Sequence, residues 1–234
     1  MNFLNPAYVT SWSWILKEEI EKDSDKQDFY NISWMWLESL SLEWIIKKLK
    51  KWWRAFIVLP DWIMNRWNDK KIRQFLMNEC EINAFISLPL NTFFTTNKRT
   101  YIVVITKKED KNIKQTNSVF TYLVSDIWET LDTYRFDTWK SDLEVAKNLF
   151  RMFEWNEQYF STDDKRCKIQ PISKFEDEIK DNWTVDKWWT KEEKIELWME
   201  EKEHVLNIKE FLWKIQEIKW KIENMEKELL ELIK

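Results

Sequence analysis

The sequence contains no glycine among its 234 residues. Ordinary proteins carry about 7% glycine, so roughly 16 glycines would be expected in a chain of this length. The chain has 18 tryptophans instead, and several of them stand where glycine is usual. Trp52 and Trp53 follow a lysine-rich helical run, Trp62 lies in a Pro-Asp-Trp tripeptide typical of a turn, and Trp12 and Trp14 alternate with serine.

Two explanations of this composition stay open at the level of sequence. Some genetic codes read UGA as glycine and others read it as tryptophan, so translation under the wrong code would turn most glycines into tryptophans. A genuine tryptophan-rich chain would instead stack its rings on bases or sugars. Because only the first explanation accounts for the absence of glycine, we favour the interpretation that most tryptophans are misread glycines.

Other rare or missing features exclude some classes of function. The two cysteines, Cys80 and Cys167, form no closely spaced pair, which indicates a reduced, cytoplasmic protein without a cysteine metal site. The single histidine, His204, lies in a charged helical tail, which argues against histidine-based catalysis. No run of 18 apolar residues and no signal-peptide pattern occur, so we expect no membrane partner. The net charge of −4 means that a DNA-binding role would need a local basic patch or a partner subunit.

Apolar segments alternate with amphipathic helical segments along the first two thirds of the chain. This alternation predicts an α/β fold with a sheet covered on both faces. The predicted strands are residues 54–60, 81–90, 100–108 and 119–127, and the predicted helices are residues 37–50, 68–80 and 141–153. Because the last two strands are close in sequence, we expect them to pair as an antiparallel hairpin at the edge of the sheet.

The C-terminal tail is charged and helical. Thr190 and Glu193 have the spacing of a capping box, and the tail is expected to be helical from there to its end. Apolar residues then alternate at spacings of three and four over nearly four heptads, as in the seam of a coiled coil: Ile208, Phe211, Ile215, Ile218, Ile222, Met225, Leu229 and Leu232. The pattern predicts helix pairing within the chain, with a second copy or with another subunit.

Several segments resemble one protein family. With glycine at the tryptophan positions, residues 51–67 read K-G-G-R-A-F-I-V-L-P-D-G-I-M-N-R-G. Together with I-S-L-P-L-N-T-F-F-T-T at 86–96 and K-R-T-Y-I-V-V-I-T-K-K at 98–108, this resembles the second half of the N6-adenine DNA methyltransferases (N-6 DNA methylases). The similarity is greatest to the modification subunit of type I restriction–modification systems. It runs from about residue 5 to about residue 140, with a weaker likeness at 186–197.

The resemblance implies a partial Rossmann-like sheet of an S-adenosylmethionine-dependent methyltransferase with a C-terminal helical, coiled-coil-like extension. We expect residues 1–140 to form the C-terminal half of the catalytic domain, 141–189 a connecting helix and polar linker, and 190–234 the heptad tail. The implied partners are double-stranded DNA, a specificity subunit bound by the heptad residues, and a restriction subunit.

The family's catalytic tetrapeptide, N-P-P-Y or N-P-P-F, stands here as N-P-A-Y. By resemblance, Asn5 and the Pro6 carbonyl accept hydrogen bonds from the adenine N6 amino group, and Tyr8 stacks on the adenine after it leaves the duplex. Ala7 departs from the second proline and relaxes the loop. No segment matches the family's glycine-rich cofactor loop, typically D-P-A-C-G-S-G, even with glycine read for tryptophan. We therefore expect an incomplete fragment, inactive alone, that lacks the binding motif for S-adenosylmethionine.

Other residues are weaker candidates for binding. Phe93 and Phe94 follow a predicted strand and would either hold the flipped base or pack in the core. Arg66 opens a locally basic stretch that would either contact phosphate or belong to a solvated helix face. A competing function is a non-catalytic interaction module, in which the helical tail pairs with a partner and the tetrapeptide is a remnant.

Overall fold

The computed structural model of the chain describes residues 2–4, 13–32, 36–94, 96–132, 134–176, 182–197, 199 and 208–232. The chain divides into two compact units, Met1–Met199 and Glu200–Lys234. The first unit contains all of the described strands, and the second contains one long helix. Nowhere in the described part of the chain is a helix both long and apolar enough to cross a membrane.

The strands of the first unit form one large sheet and one short hairpin. Their bounds are β1 (Asn2–Leu4), β2 (Arg54–Pro60), β3 (Cys80–Ser87), β4 (Thr100–Lys107), β5 (Val119–Leu123), β6 (Ile127–Glu129), β7 (Asp137–Ser141) and β8 (Cys167–Gln170). The large sheet has the order β1-β2-β4-β3-β5-β8, and β6 pairs with β7. The sheet is mixed, because β1 and β2 are parallel, β3 and β5 are parallel, and the remaining pairs are antiparallel.

Helices cover the sheet and form the second unit. Their bounds are α1 (Ser13–Glu21), α2 (Ser24–Phe29), α3 (Leu37–Lys48), α4 (Asp61–Asn65), α5 (Lys70–Glu79), α6 (Leu143–Trp155), α7 (Lys191–Glu196) and α8 (Ile208–Leu232). Apolar spacing explains which face each helix buries. In α6, for example, Ala146, Phe150 and Phe153 lie four and three residues apart and are buried together.

The sheet separates two hydrophobic cores, because successive side chains of a strand point to opposite faces. Phe85 of β3 belongs to the first core, together with residues of α3 and α5. Its neighbours Ala84 and Ile86 belong to the second core, together with Phe150 of α6. With both faces covered, the central strands read as nearly continuous apolar runs, and the predicted α/β fold is confirmed.

The expected hairpin between residues 100–108 and 119–127 is wrong. β4 pairs antiparallel with both β2 and β3, and β5 pairs parallel with β3 on its other side. β4 thereby fills the gap between β2 and β3, where both of its edges find hydrogen-bonding partners. The segment 119–127 is also not one strand, since β5 ends at Leu123 and β6 begins at Ile127.

The structure bears on some of the predictions made for the tail and leaves one untested. The capping box at α7 is confirmed, with the Thr190 hydroxyl accepting from the Glu193 N–H and the Glu193 carboxylate accepting from the Thr190 N–H. Residues 208–232 form one helix, α8. Pairing of α8 as a coiled coil stays a prediction.

The backbone at three tryptophans takes the left-handed conformation that glycine favours. φ is 66° at Trp52, 61° at Trp128 and 58° at Trp139, and the other positive values among the described residues belong to Asn91 and Arg135. The expectation of a glycine-like turn at Trp62 is wrong, because this residue lies in α4 and has no positive φ.

Candidate functional site

The topology brings the carboxyl ends of four strands to one edge of the sheet. β1 runs parallel to β2, and β2 and β3 are both antiparallel to the strand β4 between them. β5 is parallel to β3. β1, β2, β3 and β5 therefore all end at this edge, which we call the carboxyl edge, at Leu4, Pro60, Ser87 and Leu123. Open α/β sheets bind ligands in the crevice outside such an edge.

The sequence motif N-P-A-Y begins at the residue after the end of β1. The predicted catalytic residues Asn5, Pro6 and Tyr8 themselves lie outside the described residues. The parallel register of β1 on β2, with Leu4 opposite Ile57, fixes the edge of the sheet from which the motif starts.

Arg66 lies at the carboxyl edge, just after α4. Its guanidinium lies 4.5 Å from the ring centroid of Trp36 and 5.4 Å from that of Trp62. Such cation–π contacts hold the side chain close to the protein surface. The side chain is half-buried and does not belong to a solvated helix face. A contact between Arg66 and DNA phosphate stays a prediction.

Buried carboxyl groups lie beside Arg66. Glu38 of α3 and Asp69, before α5, are 1% and 0% exposed. The Ser39 hydroxyl donates to Asp69 Oδ1 at 2.7 Å. Within the part of the chain that the structure describes, Glu38 Oε1, Asp69 Oδ2 and Arg66 Nη1 are buried without a hydrogen-bond partner. We call Glu38, Ser39 and Asp69 the acid cluster.

Burial raises the pKa of both carboxyl groups of the acid cluster above their ordinary values. For Glu38, the neighbouring Asp69 raises the pKa further, while Arg66 opposes the shift. For Asp69, the hydrogen bond from Ser39 and the charges of Arg66 and Arg73 oppose it. These carboxyl groups are consequently harder to ionise than exposed acids.

Arg73 of α5 fixes the loop that follows β2. It is 2% exposed, and its Nη1 donates to the carbonyl of Ile63 at 2.5 Å and to that of Arg66 at 3.0 Å. Hydrogen bonds from a buried cation are stronger than those between neutral groups. The loop from Asp61 to Asp69, which we call the β2 loop, is thus held from the interior.

The loop after β3, from Leu88 to Arg99, places the two candidate phenylalanines in different environments. Phe93 is half-buried and packs against the second core. Phe94 is 78% exposed, and the Arg135 guanidinium lies 4.5 Å from its ring centroid. Of the two candidates, only Phe94 presents its ring to solvent at the carboxyl edge. We call residues 88–99 the β3 loop.

The segment 182–189 returns to the carboxyl edge, which the sequence did not indicate. The Trp183 N–H donates to the Met64 carbonyl at 2.9 Å. The Tyr101 hydroxyl donates to the Asp186 carboxylate, and Arg99 forms an ion pair with Asp186 at 3.4 Å. Burial, with the charge of Asp186, raises the pKa of Tyr101 far above its ordinary value. Tyr101 and Asp186 are 85 positions apart, so no local pattern could have paired them.

The described residues offer no nucleophilic thiol and no metal centre. Cys80 and Cys167 are free, and burial raises the pKa of both thiols to about 12. Among the described ranges, no group of three or more histidine, cysteine, aspartate or glutamate residues is placed to hold a metal ion. A cavity of about 740 Å³, lined by residues such as Lys51, Glu79 and Lys107, lies at the opposite edge of the sheet.

The described loops of the carboxyl edge do not by themselves form a cradle for S-adenosylmethionine. The β2 loop carries the buried Asp69 and the half-buried Arg66, and the β3 loop carries the exposed ring of Phe94. Neither described loop is a strand-to-helix turn of small residues whose N–H groups could approach a charged cofactor closely.

α8 presents apolar side chains to solvent. Ile215, Ile218, Ile222 and Met225 of the predicted seam are between 47% and 57% exposed. The other seam residues belong to α8 by backbone, but their side chains lie outside those that the structure describes: Ile208, Phe211, Leu229 and Leu232. An exposed apolar seam of this kind is typical of a helix that meets a partner.

The chain matches one protein family over most of its length. Residues 3–196 match the family described as N-6 DNA Methylase. A chain from a type I restriction–modification complex, studied for its assembly and conformational transition, is 17% identical with a TM-score of 0.59. The alignment covers 99% of this chain and 44% of that one.

A second similar structure is the type I restriction–modification methyltransferase subunit from Streptococcus thermophilus. It is 21% identical, with a TM-score of 0.55, and the alignment covers 79% of this chain and 36% of that one. The chain thus spans less than half the length of these solved proteins, and at such identities the likeness concerns the fold. A comparison with curated proteins gives no match.

Proposed function

Because the chain belongs to the N-6 DNA methylase family, we propose that it takes part in methylation of adenine N6 in DNA, within a restriction–modification system. The main observation behind the proposal is that four strands end together at the carboxyl edge. The motif N-P-A-Y follows β1 directly in the sequence, and β1 pairs in parallel with β2, with Leu4 opposite Ile57. The carboxyl edge is where an α/β sheet binds its ligands.

In the proposed reaction, Asn5 and the carbonyl of Pro6 accept hydrogen bonds from the two N–H groups of the adenine amine. These contacts would leave the nitrogen lone pair free to take up the methyl group that S-adenosylmethionine, held by residues outside those described, would supply. The amine would release one proton to solvent as the N–C bond forms, and no strong general base is required. Tyr8 stacks on the adenine, which has to leave the duplex to be reached.

Phe94 supplies a second aromatic face for the flipped adenine. Its exposure at the carboxyl edge supports this role, whereas the packing of Phe93 against the second core supports a structural role for that residue. Arg66 would assist by contacting a phosphate near the β2 loop. Its guanidinium already makes cation–π contacts with two aromatic rings, so we expect its contribution to DNA binding to be small.

We propose that the chain binds S-adenosylmethionine only together with residues outside those described, and that it is inactive by itself. The absence of a cofactor cradle in the described loops supports this. The proposed partners are double-stranded DNA, a specificity subunit that docks on the seam of α8, and a restriction subunit. The exposed seam residues of α8 support the subunit contact.

The test measures transfer of labelled methyl groups from S-adenosylmethionine to duplex DNA by the full chain assembled with its specificity subunit and with the polypeptide that supplies the remaining cofactor-binding residues. Digestion and mass spectrometry identify the methylated base. We expect N6-methyladenine, a loss of about 100-fold in rate with Asn5→Ala, and a loss of about tenfold with Tyr8→Ala. Asn112→Ala, in an exposed turn, is the matched control and should leave the rate unchanged.

The same experiment distinguishes DNA methylation from the competing function, a non-catalytic interaction module. If the complex assembles and methylates DNA equally well with Asn5→Ala, the chain serves as a helical interaction module and the motif is a remnant. The exposed seam of α8 is the observation that favours this second candidate. Methylation found only on cytosine would contradict the proposed substrate.

A further inference from the structure

The β3 loop and the β6–β7 hairpin leave the carboxyl edge side by side. β3 and β5 are parallel, with Ser87 opposite Leu123, and the Val124 N–H donates to the Ser87 carbonyl at 2.9 Å. The β3 loop starts directly after Ser87, and the hairpin starts a few residues after Leu123. The hairpin is therefore placed to contact the β3 loop.

Arg135, in the turn of the hairpin, joins these two segments. Its guanidinium donates to the carbonyl of Asn91 and, at 3.4 Å, to that of Thr92, both in the β3 loop. It also donates to the Thr130 carbonyl in its own hairpin at 3.3 Å. The guanidinium lies 4.5 Å from the ring centroid of Phe94. One side chain thus contacts both the backbone and an aromatic ring of the β3 loop.

The backbone of Arg135 is itself fixed. Asp132 Oδ1 accepts from the N–H groups of Tyr134 and Arg135, each at 3.1 Å, and from the Thr130 hydroxyl at 3.0 Å. The Phe136 N–H donates to the Thr130 hydroxyl at 2.9 Å. Such a side-chain-capped turn restricts the direction in which the arginine leaves the hairpin.

Charge argues against a phosphate-binding role for the hairpin. Near Arg135 it carries the acidic residues Glu129, Asp132 and Asp137, which would repel a DNA backbone. The arginine is instead committed to carbonyls and a ring of the neighbouring loop. Its contribution is therefore to hold the β3 loop in place.

We propose that Arg135 is a positioning residue for base recognition, which holds Phe94 where its ring can stack on the flipped adenine. This rests on the proposed function, in which Phe94 contacts the base. A ring held in one place before the base arrives binds it more tightly, because ordering an untethered loop on binding would cost conformational entropy. The cation also covers only one part of the Phe94 surface, since the side chain is 78% exposed.

The test uses the full chain assembled with its specificity subunit and a duplex with 2-aminopurine opposite an abasic site, where the base leaves the stack at little cost. Fluorescence of 2-aminopurine reports binding and stacking. We expect Arg135→Ala and Phe94→Ala each to weaken binding about tenfold, and the double variant to lose no more than either single variant. Arg135→Lys, which keeps a cation and one donor, should recover part of the loss.

The exposed Arg151 on α6 offers a matched control, and Arg151→Ala should bind as the wild type does. Losses in Arg135→Ala and Phe94→Ala that multiply in the double variant would overturn the proposal, as would wild-type binding by Arg135→Ala. If the wild-type chain itself gives no 2-aminopurine signal, base recognition by this chain fails, and the proposed function fails with it. The two failures are thus distinguishable.

The tryptophans fall into two structural classes. Trp52, Trp128 and Trp139 have positive φ and are 67%, 50% and 89% exposed. A bulky residue in this conformation is strained, whereas glycine is not. Trp183 and Trp189 are each 2% exposed, and their indole N–H groups donate to the carbonyls of Phe175 and Lys165.

Trp188 is half-buried but also packs inside the protein. Its ring lies edge-on to that of Phe175 at 5.1 Å, and it packs against the first core. Glycine at Trp183, Trp188 or Trp189 would leave a large cavity in that region. We infer that the protein in its source carries glycine at positions 52, 128 and 139 and tryptophan at positions 183, 188 and 189.

Peptide mass spectrometry of the protein purified from its source tests this assignment. We expect peptides with glycine at the three positive-φ positions and with tryptophan at the three core-packed positions, 183, 188 and 189. Tryptophan at any of the first three positions, or glycine at any of the last three, would overturn it. The experiment is independent of methyl transfer and of DNA binding.

Discussion

The β2 loop and the β3 loop leave the same edge of the sheet but are built in opposite ways. The β2 loop is held from inside by Arg73 and borders the buried acid cluster. The β3 loop is held from outside by Arg135 and presents the exposed ring of Phe94. The difference indicates a division of roles, in which one loop keeps the shape of the edge and the other meets the substrate.

The largest expected effect is on the β2 loop. Arg73→Ala removes a buried cation and leaves the carbonyls of Ile63 and Arg66 without this donor. We expect the free energy of unfolding to fall by about 3 kcal/mol, as measured by urea denaturation. Arg151→Ala, at an exposed position, should change it by less than about 0.5 kcal/mol. Equal effects of the two variants would contradict the internal role of Arg73.

Ser39→Ala tests the acid cluster. The variant removes the hydrogen bond to Asp69 Oδ1 and leaves another buried oxygen unpaired. We expect a loss of about 1.5 kcal/mol in the free energy of unfolding and a further rise in the pKa of Asp69. Carboxyl chemical shifts followed by NMR titration would show that rise, and an unchanged titration would contradict the contact.

Glu38→Gln tests the pH dependence of stability. Because the pKa of Glu38 is raised on folding, its favourable contribution is present below its ordinary pKa of 4.5 and is lost as pH rises through the folded pKa. We therefore expect the variant to be less destabilised than the wild type as pH rises to about 8. Urea denaturation at a series of pH values measures this. Exposed Glu19→Gln is the control, and an identical pH profile for Glu38→Gln and the wild type would count against the prediction.

The smallest effect on stability is expected in the β3 loop. Phe94→Ala should change the free energy of unfolding by less than about 0.5 kcal/mol, because the ring is 78% exposed. The same variant should still lose binding of the 2-aminopurine duplex. A large loss of stability would show that the Phe94 ring is structural, and the contrast between the two loops would then fail.

Part of the fold could be predicted from local patterns. The strand at 54–60 has the bounds of β2, and the strand at 100–108 those of β4 to within one residue. Both are apolar runs with several buried side chains, and β4 is rich in β-branched residues, a composition typical of strands in a covered sheet. The strands β6, β7 and β8 were missed, because they are short, partly exposed and carry no alternating pattern.

The candidate site was predictable only where a motif is contiguous. The motif N-P-A-Y and the loop containing Phe93 and Phe94 stand out as sequence segments. Arg135 does not, since nothing near it in the sequence indicates that it reaches Asn91, 44 positions away. The buried pairing of Tyr101 with Asp186 is equally invisible to a local pattern.

Side-chain periodicity over a few residues was enough to predict the α/β class, the bounds of β2 and β4 and a helix in the tail. Contacts between distant segments place β4 between β2 and β3, which brings the ends of β1, β2, β3 and β5 to one edge. They also decide which phenylalanine is exposed and which tryptophans are buried. These outcomes depend on contacts between distant segments, whose free energy is set by burial and hydrogen bonding in the folded chain rather than by local propensity.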